Sequence, residues 1–97
     1  MHVIISEEAL DDLGEIWDFV GGSSVAAANE LVEELVERAL RLDENPHLYA
    51  IVWWLEEHGV RRMNVRSWAI FYRILPSHID VARIVHGGMR MEKLFGG

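Results

Sequence analysis

The hydrophobic period of this chain changes near its middle, and that change limits the fold more than any other feature. Before Asn45 the apolar residues recur at steps of three and four; from Trp68 onward they alternate at steps of two. The first spacing builds helices with one apolar face, the second half-buried strands. Helices followed by a run of strands make an α+β layer, with the helices on one face of a small, mainly antiparallel sheet. At 97 residues the chain makes a single domain spanning 1–97, with room for one core.

Residues 2–5 open the chain with a short β-branched run that reads as a strand. Ser6 can cap the helix that follows, with Glu7 and Glu8 where the helix dipole favours anions. Ala9, Leu10, Leu13, Ile16, Trp17 and Val20 make its apolar stripe. Gly21-Gly22 ends it, since glycine accepts the left-handed conformation of a C-terminal cap. Ser23 or Ser24 starts a second helix with an apolar face of Leu31, Val32, Leu35, Val36, Ala39, Leu40 and Leu42. Glu34 with Arg38, and Glu37 with Arg41, are spaced to support it as ion pairs. Asn45-Pro46 stops it. Later, residues 68–75 and 79–86 alternate around Pro76-Ser77-His78 and read as an antiparallel hairpin, with a preceding strand near residues 61–66. Residues 51–55 either begin that strand or stand apart as an apolar segment. The order is β-α-α-β-β-β.

Charge divides along the same boundary. Residues 1–58 carry 14 Asp/Glu against 2 Arg, a net of −12, and residues 59–97 carry 2 Asp/Glu against 7 Arg/Lys, a net of +5. The total of −7 argues against indiscriminate nucleic-acid binding, which rests on phosphate neutralisation, but leaves room for a local basic site. There is no cysteine, hence no disulfide framework or thiolate chemistry, which fits a reducing cytoplasm. The longest apolar run, residues 48–55, is too short to span a membrane, and residues 1–6 do not begin a signal peptide.

Some residues stand out against this frame. Arg61 and Arg83 fall in phase with apolar strand neighbours. A guanidinium there either contacts an external phosphate or carboxylate or pairs internally with an acid such as Asp12 or Asp18. His86 closes the last strand ahead of Gly87-Gly88. It reads as a general acid or base, or as a strand-end histidine bonded to backbone. RNA cleavage without metal needs further groups, for which Tyr72, Arg83 and Arg90 are candidates. Residues 89–95 form a basic, apolar tail, either packed on the sheet or exposed as a contact segment. Trp53-Trp54, if on a strand, point to opposite faces, so one of them suits an interface anchor. The five histidines lie at no ligand spacing and no phosphate-binding glycine loop is present, so neither metal nor cofactor is expected.

The motifs, taken in order, resemble the ParE/RelE superfamily of toxins from bacterial toxin–antitoxin pairs, in the ParE style. Ser6-x-x-Ala9-x-x-Asp12-Leu13-x-x-Ile16-Trp17 resembles its first helix, and Leu42-x-x-Asn45-Pro46-x-Leu48-Tyr49 the segment after its second. Gly59-Val60-Arg61, Trp68-x-Ile70-x-Tyr72-Arg73 and Ile79-x-Val81-x-x-Ile84-Val85-His86-Gly87-x-x-Arg90 resemble its terminal strands. The resemblance implies the same β-α-α-β-β-β fold and a cytoplasmic toxin, of the kind tied to plasmid stabilisation, held in a hetero-oligomer by a cognate antitoxin. ParE-like members inhibit DNA gyrase by binding it; Arg61, Arg83, Arg90 and Lys93 are then the target-binding candidates, and Trp17, Trp53 and Trp54 the antitoxin-binding ones. RelE-like members cleave mRNA on the ribosome, which here would employ His86 with Arg83, Arg61 and Tyr72. The acidic helices favour the non-enzymatic reading, because docking among ribosomal phosphates profits from basic surface. A relic that only binds its antitoxin is the third reading.

Overall fold

In the computed structural model, the structure describes residues 1–89, without the side chains of residues 53 and 54. The element order is β1 (His2–Ile5), α1 (Glu7–Gly21), α2 (Val25–Leu40), short 3-10 turns at Arg41–Glu44 and Trp53–His58, β2 (Val60–Val65), β3 (Trp68–Ile74) and β4 (His78–His86). The sheet runs β1-β4-β3-β2. Its two hairpin pairings are antiparallel, and β1 lies parallel to β4 with His2 opposite His78 and Ile5 opposite Val81. The expected α+β architecture is therefore present.

Each helix begins where a serine satisfies its orphan donors. Ser6 Oγ accepts from the Ala9 N–H at 3.1 Å and donates to the Ala82 carbonyl at 3.0 Å, so it caps α1 and ties it to β4. Ser24 caps α2 through the Ala27 N–H. The end of α1 departs from expectation: Gly22 is right-handed, at φ −59°, and donates to the carbonyls of Asp18 and Val20. The turn into α2 is closed by Ser23 and Ser24 N–H groups on the Val20 carbonyl, so no left-handed glycine is needed.

Both helices lie on one face of the sheet. Ala9, Leu13 and Ile16 of α1 and Leu31, Leu35 and Ala39 of α2 pack against Met63, Val65, Ile70, Tyr72, Ile79, Val81 and Ile84. Leu10 and Leu40, assigned to the apolar stripes, are instead about half exposed, because each sits one step outside its buried arc. Glu34 does not pair with Arg38: it turns to Arg66 at 2.9 Å, while Arg38 Nη2 lies 3.8 Å from the Met63 sulfur.

The opposite face carries a second apolar cluster that the period did not announce. Val52 and Leu55 cover Val60, Ala69, Phe71 and Val85. Residues 50–52 run beside β2, with Val52 N–H on the Val60 carbonyl and Arg62 N–H on that of Ala50, and one isolated bridge joins Ile51 to Arg61. The chain then coils through the 3-10 turns and enters β2 at Gly59, whose φ of +64° is a left-handed conformation suited to glycine. Trp53-Trp54 thus lie on coiled backbone, where strand alternation does not apply.

Candidate functional site

A largely buried polar contact joins α1 to β4. Strand β1 pairs with β4 only as far as Val81, and beyond it α1 lies alongside. There the backbone N–H of Ile84 would face an apolar helix. Asp12, inside the buried stripe of α1, accepts it at 2.9 Å. The same carboxylate takes Arg83 Nε at 2.8 Å and Nη2 at 2.9 Å, a two-pronged pair on an acid that is 5% exposed. Hydrogen bonding to Asp12 pushes the Arg83 pKa up, against the opposing effect of burial, so Arg83 stays charged.

Arg61 of β2 lies opposite Tyr72 of β3 and donates to the Tyr49 carbonyl at 2.6 Å. The Tyr72 ring is fully buried beneath the helices, and its hydroxyl donates to the Pro46 carbonyl at 2.6 Å. Burial raises the Tyr72 pKa above its ordinary 10.0, with the Arg61 charge opposing that rise. His86 sits at the far end of the sheet, opposite Trp68, with the two rings edge to face at 5.5 Å. Its Nδ1 accepts the Gly88 N–H at 3.1 Å, the backbone bond foreseen for a strand-end histidine.

These positions scatter the candidate catalytic set. Trp68 and Tyr72 mark the two neighbourhoods on β3, and four residues of strand separate them by about 13 Å. Arg83 lies between them, turned to Asp12. Among the described residues, Arg61 and Tyr72, Arg83, and His86 therefore do not meet around one point. Among the described residues no group of three His, Asp or Glu could hold a metal ion, and no helix is long and apolar enough to cross a membrane. Arg90 and Lys93 lie outside the described residues, as do the side chains of Trp53 and Trp54.

Trp17 is half-buried over the helical hairpin: its indole N–H donates to Asn29 of α2 at 2.8 Å and its ring lies against Gly21. Sequence reasoning missed a neighbour. Phe19 is 80% exposed, and with Ile16, Trp68, His86 and Met89 it lines an apolar groove of about 290 Å³ between α1 and the end of β4. The available signal was an aromatic residue three positions from Ile16, at the margin of the stripe.

Comparison with known proteins gives the fold its context. A family model described as the ParE toxin of the type II toxin–antitoxin system parDE matches residues 3–91. Among solved structures, a chain of the chromosomal ParDE toxin–antitoxin system from P. aeruginosa aligns with a TM-score of 0.74 at 23% identity, over 89% of this chain and 95% of that one. At that identity the likeness speaks for the fold. No curated protein matches the chain.

Proposed function

The chain belongs to the ParE toxin family of type II toxin–antitoxin systems, and from that premise we propose that it inhibits DNA gyrase by direct binding and is held inactive by a cognate antitoxin. The match to the family model across residues 3–91 carries this reading. The separation of His86 from Arg61 and Tyr72 supports a binding module over a nuclease. In this reading Arg61, Arg90 and Lys93 supply cations to the target contact. Arg83, already committed to Asp12, serves as a positioning residue that fixes β4 against α1.

The antitoxin occupies the outer side of the helical hairpin, where Trp17 is half-exposed, and reaches the Phe19 groove; Trp53 and Trp54, in the segment on the opposite sheet face, are candidates for a separate antitoxin contact. An amphipathic antitoxin segment that buries such anchors gains about 1.5–3 kcal/mol for each large apolar side chain fully desolvated. The toxin acts in the cytoplasm, in a hetero-oligomer until the antitoxin is removed.

Supercoiling of relaxed plasmid by gyrase, with purified toxin added, tests the proposal. Loss of supercoiling or accumulation of a trapped cleavage complex is expected, and addition of the antitoxin reverses it. Full supercoiling at a large excess of toxin, together with cleaved messages in induced cells, would overturn the gyrase reading in favour of a ribonuclease.

A further inference from the structure

A second cleft, of about 350 Å³, opens at the sheet end that carries the β2–β3 turn, lined by Arg62, Arg66, Ser67, Trp68, His86 and Gly88 among others. Among the described residues no carboxylate lines it, although the chain carries a formal charge of −7. The nearest acids are accounted for. Glu34 reaches across from α2 to pair with Arg66, and Asp12 and Glu15 of α1 face the groove on the other side of His86.

The cleft is built around Arg62. Its guanidinium lies over the Phe71 ring, 5.6 Å from the centroid. Nε donates to Asn64 at 2.8 Å and Nη2 to the Gly87 carbonyl at 3.3 Å. Among the described residues it has no carboxylate partner, and the rest of its donor fork is unused. Gly87 is what admits it: a Cβ there would stand 3.1 Å from Arg62 Nη2 and 3.2 Å from the Ser67 carbonyl oxygen. His86 adds an oriented donor. Because Nδ1 accepts the Gly88 N–H, the proton of the neutral ring sits on Nε2. The turn itself stores strain, since Arg66 adopts φ +56°, a left-handed conformation in which glycine or asparagine is at ease. From there its side chain reaches Glu34 of α2 with both prongs of its fork.

We propose that this cleft holds a backbone phosphate of DNA. The unused donors of Arg62 supply the fork, Arg66 stands at the rim with its own fork on Glu34, and Ser67 and His86 line the same cleft, a cationic setting that suits a tetrahedral oxyanion. The choice of DNA over RNA rests on the gyrase reading above; the choice of phosphate does not.

Fluorescence anisotropy of a labelled short DNA duplex, titrated with the full chain at low salt and without gyrase, tests this. Saturable binding is expected, weakening linearly on a log–log salt plot. Arg62→Gln should weaken it about tenfold and Arg66→Gly several-fold, each lowering the salt slope by about one. Arg41→Gln, remote from the cleft and paired with Glu37 and Glu44, should leave it unchanged. Circular dichroism melts establish that the variants are folded, and Arg62→Lys retains the charge without the fork should Arg62→Gln fail to fold. No binding, binding unaffected by both cleft substitutions, or displacement of the duplex by an equal concentration of inorganic phosphate would overturn the proposal. DNA binding without gyrase inhibition sinks the gyrase reading alone; gyrase inhibition without DNA binding sinks this one alone.

Discussion

Asp12 does at one position what a strand and a salt bridge would otherwise divide between them. It satisfies the Ile84 N–H where β1 has run out and neutralises Arg83 beside an apolar helix face. Removing it strands both partners. Breaking a buried ion pair from one side costs about 3–5 kcal/mol. Arg83 retains some contact with water, its side chain being 22% exposed, which places Asp12→Ala at about 3 kcal/mol in urea unfolding. Asp12→Leu combined with Arg83→Met should recover the part due to the stranded charge, while the Ile84 N–H still lacks its acceptor. Tyr72 sets a second residue-scale expectation. Its folded pKa lies above the unfolded value, so the protonated phenol stabilises the fold fully below the ordinary 10.0 and that contribution is lost as pH rises through the folded pKa. A tyrosinate absorbance titration should show one step above the ordinary value, coincident with alkaline unfolding and absent in Tyr72→Phe. That variant also leaves the Pro46 carbonyl without its donor, at about 1–2 kcal/mol.

At the scale of elements, two leucines of the same type separate the stripes that matter from those that do not. Leu55, 7% exposed, belongs to the second-face cluster over β2, β3 and β4. Leu55→Ala should cost about 2–3 kcal/mol. Leu10→Ala, on a side chain 54% exposed, should move the urea midpoint little. A single denaturation series on both variants checks the pair, and equal losses would mean that the second-face segment contributes no core. The helices and the β3–β4 hairpin were legible in the sequence because one-sided burial sustained over many residues imprints its period. The 3-10 segment was not: residues 48–55 are almost wholly apolar, and a run without polar interruptions has no phase to read. The site followed the same logic. Asp12 was one of two acids named for Arg83, but the phase that suggested it does not hold: a register shift that leaves Ala82 unpaired puts Arg83 on the face of Val85 and not of Val81. Arg62 drew no notice, because its setting depends on Gly87, 25 residues away in sequence, leaving room for a guanidinium. Phe19 was passed over because its exposure is decided by which arc of α1 meets the sheet.

Across the whole molecule the acidic helices lie on a basic sheet, and ionic strength acts on two opposed terms. The helix–sheet attractions, Asp12 with Arg83 and Glu34 with Arg66, are partly buried on their acidic side. The repulsions are among exposed carboxylates, since residues 1–58 hold 14 acids against 2 arginines. Salt screens exposed charges well and buried pairs poorly. The molecule measures 39 × 29 × 22 Å, so at a Debye length of about 30 Å, near 0.01 M salt, each exposed carboxylate feels most of the others. At about 0.15 M the length falls to about 8 Å, and only immediate neighbours still interact. Relief of repulsion should therefore exceed loss of attraction. Relief of about 1 kcal/mol would raise Tm by about 4–8 °C in a domain of this size. Differential scanning calorimetry across that salt range measures it. A Tm that falls with salt would mean that attraction between the two charged halves, and not packing alone, holds the helices to the sheet.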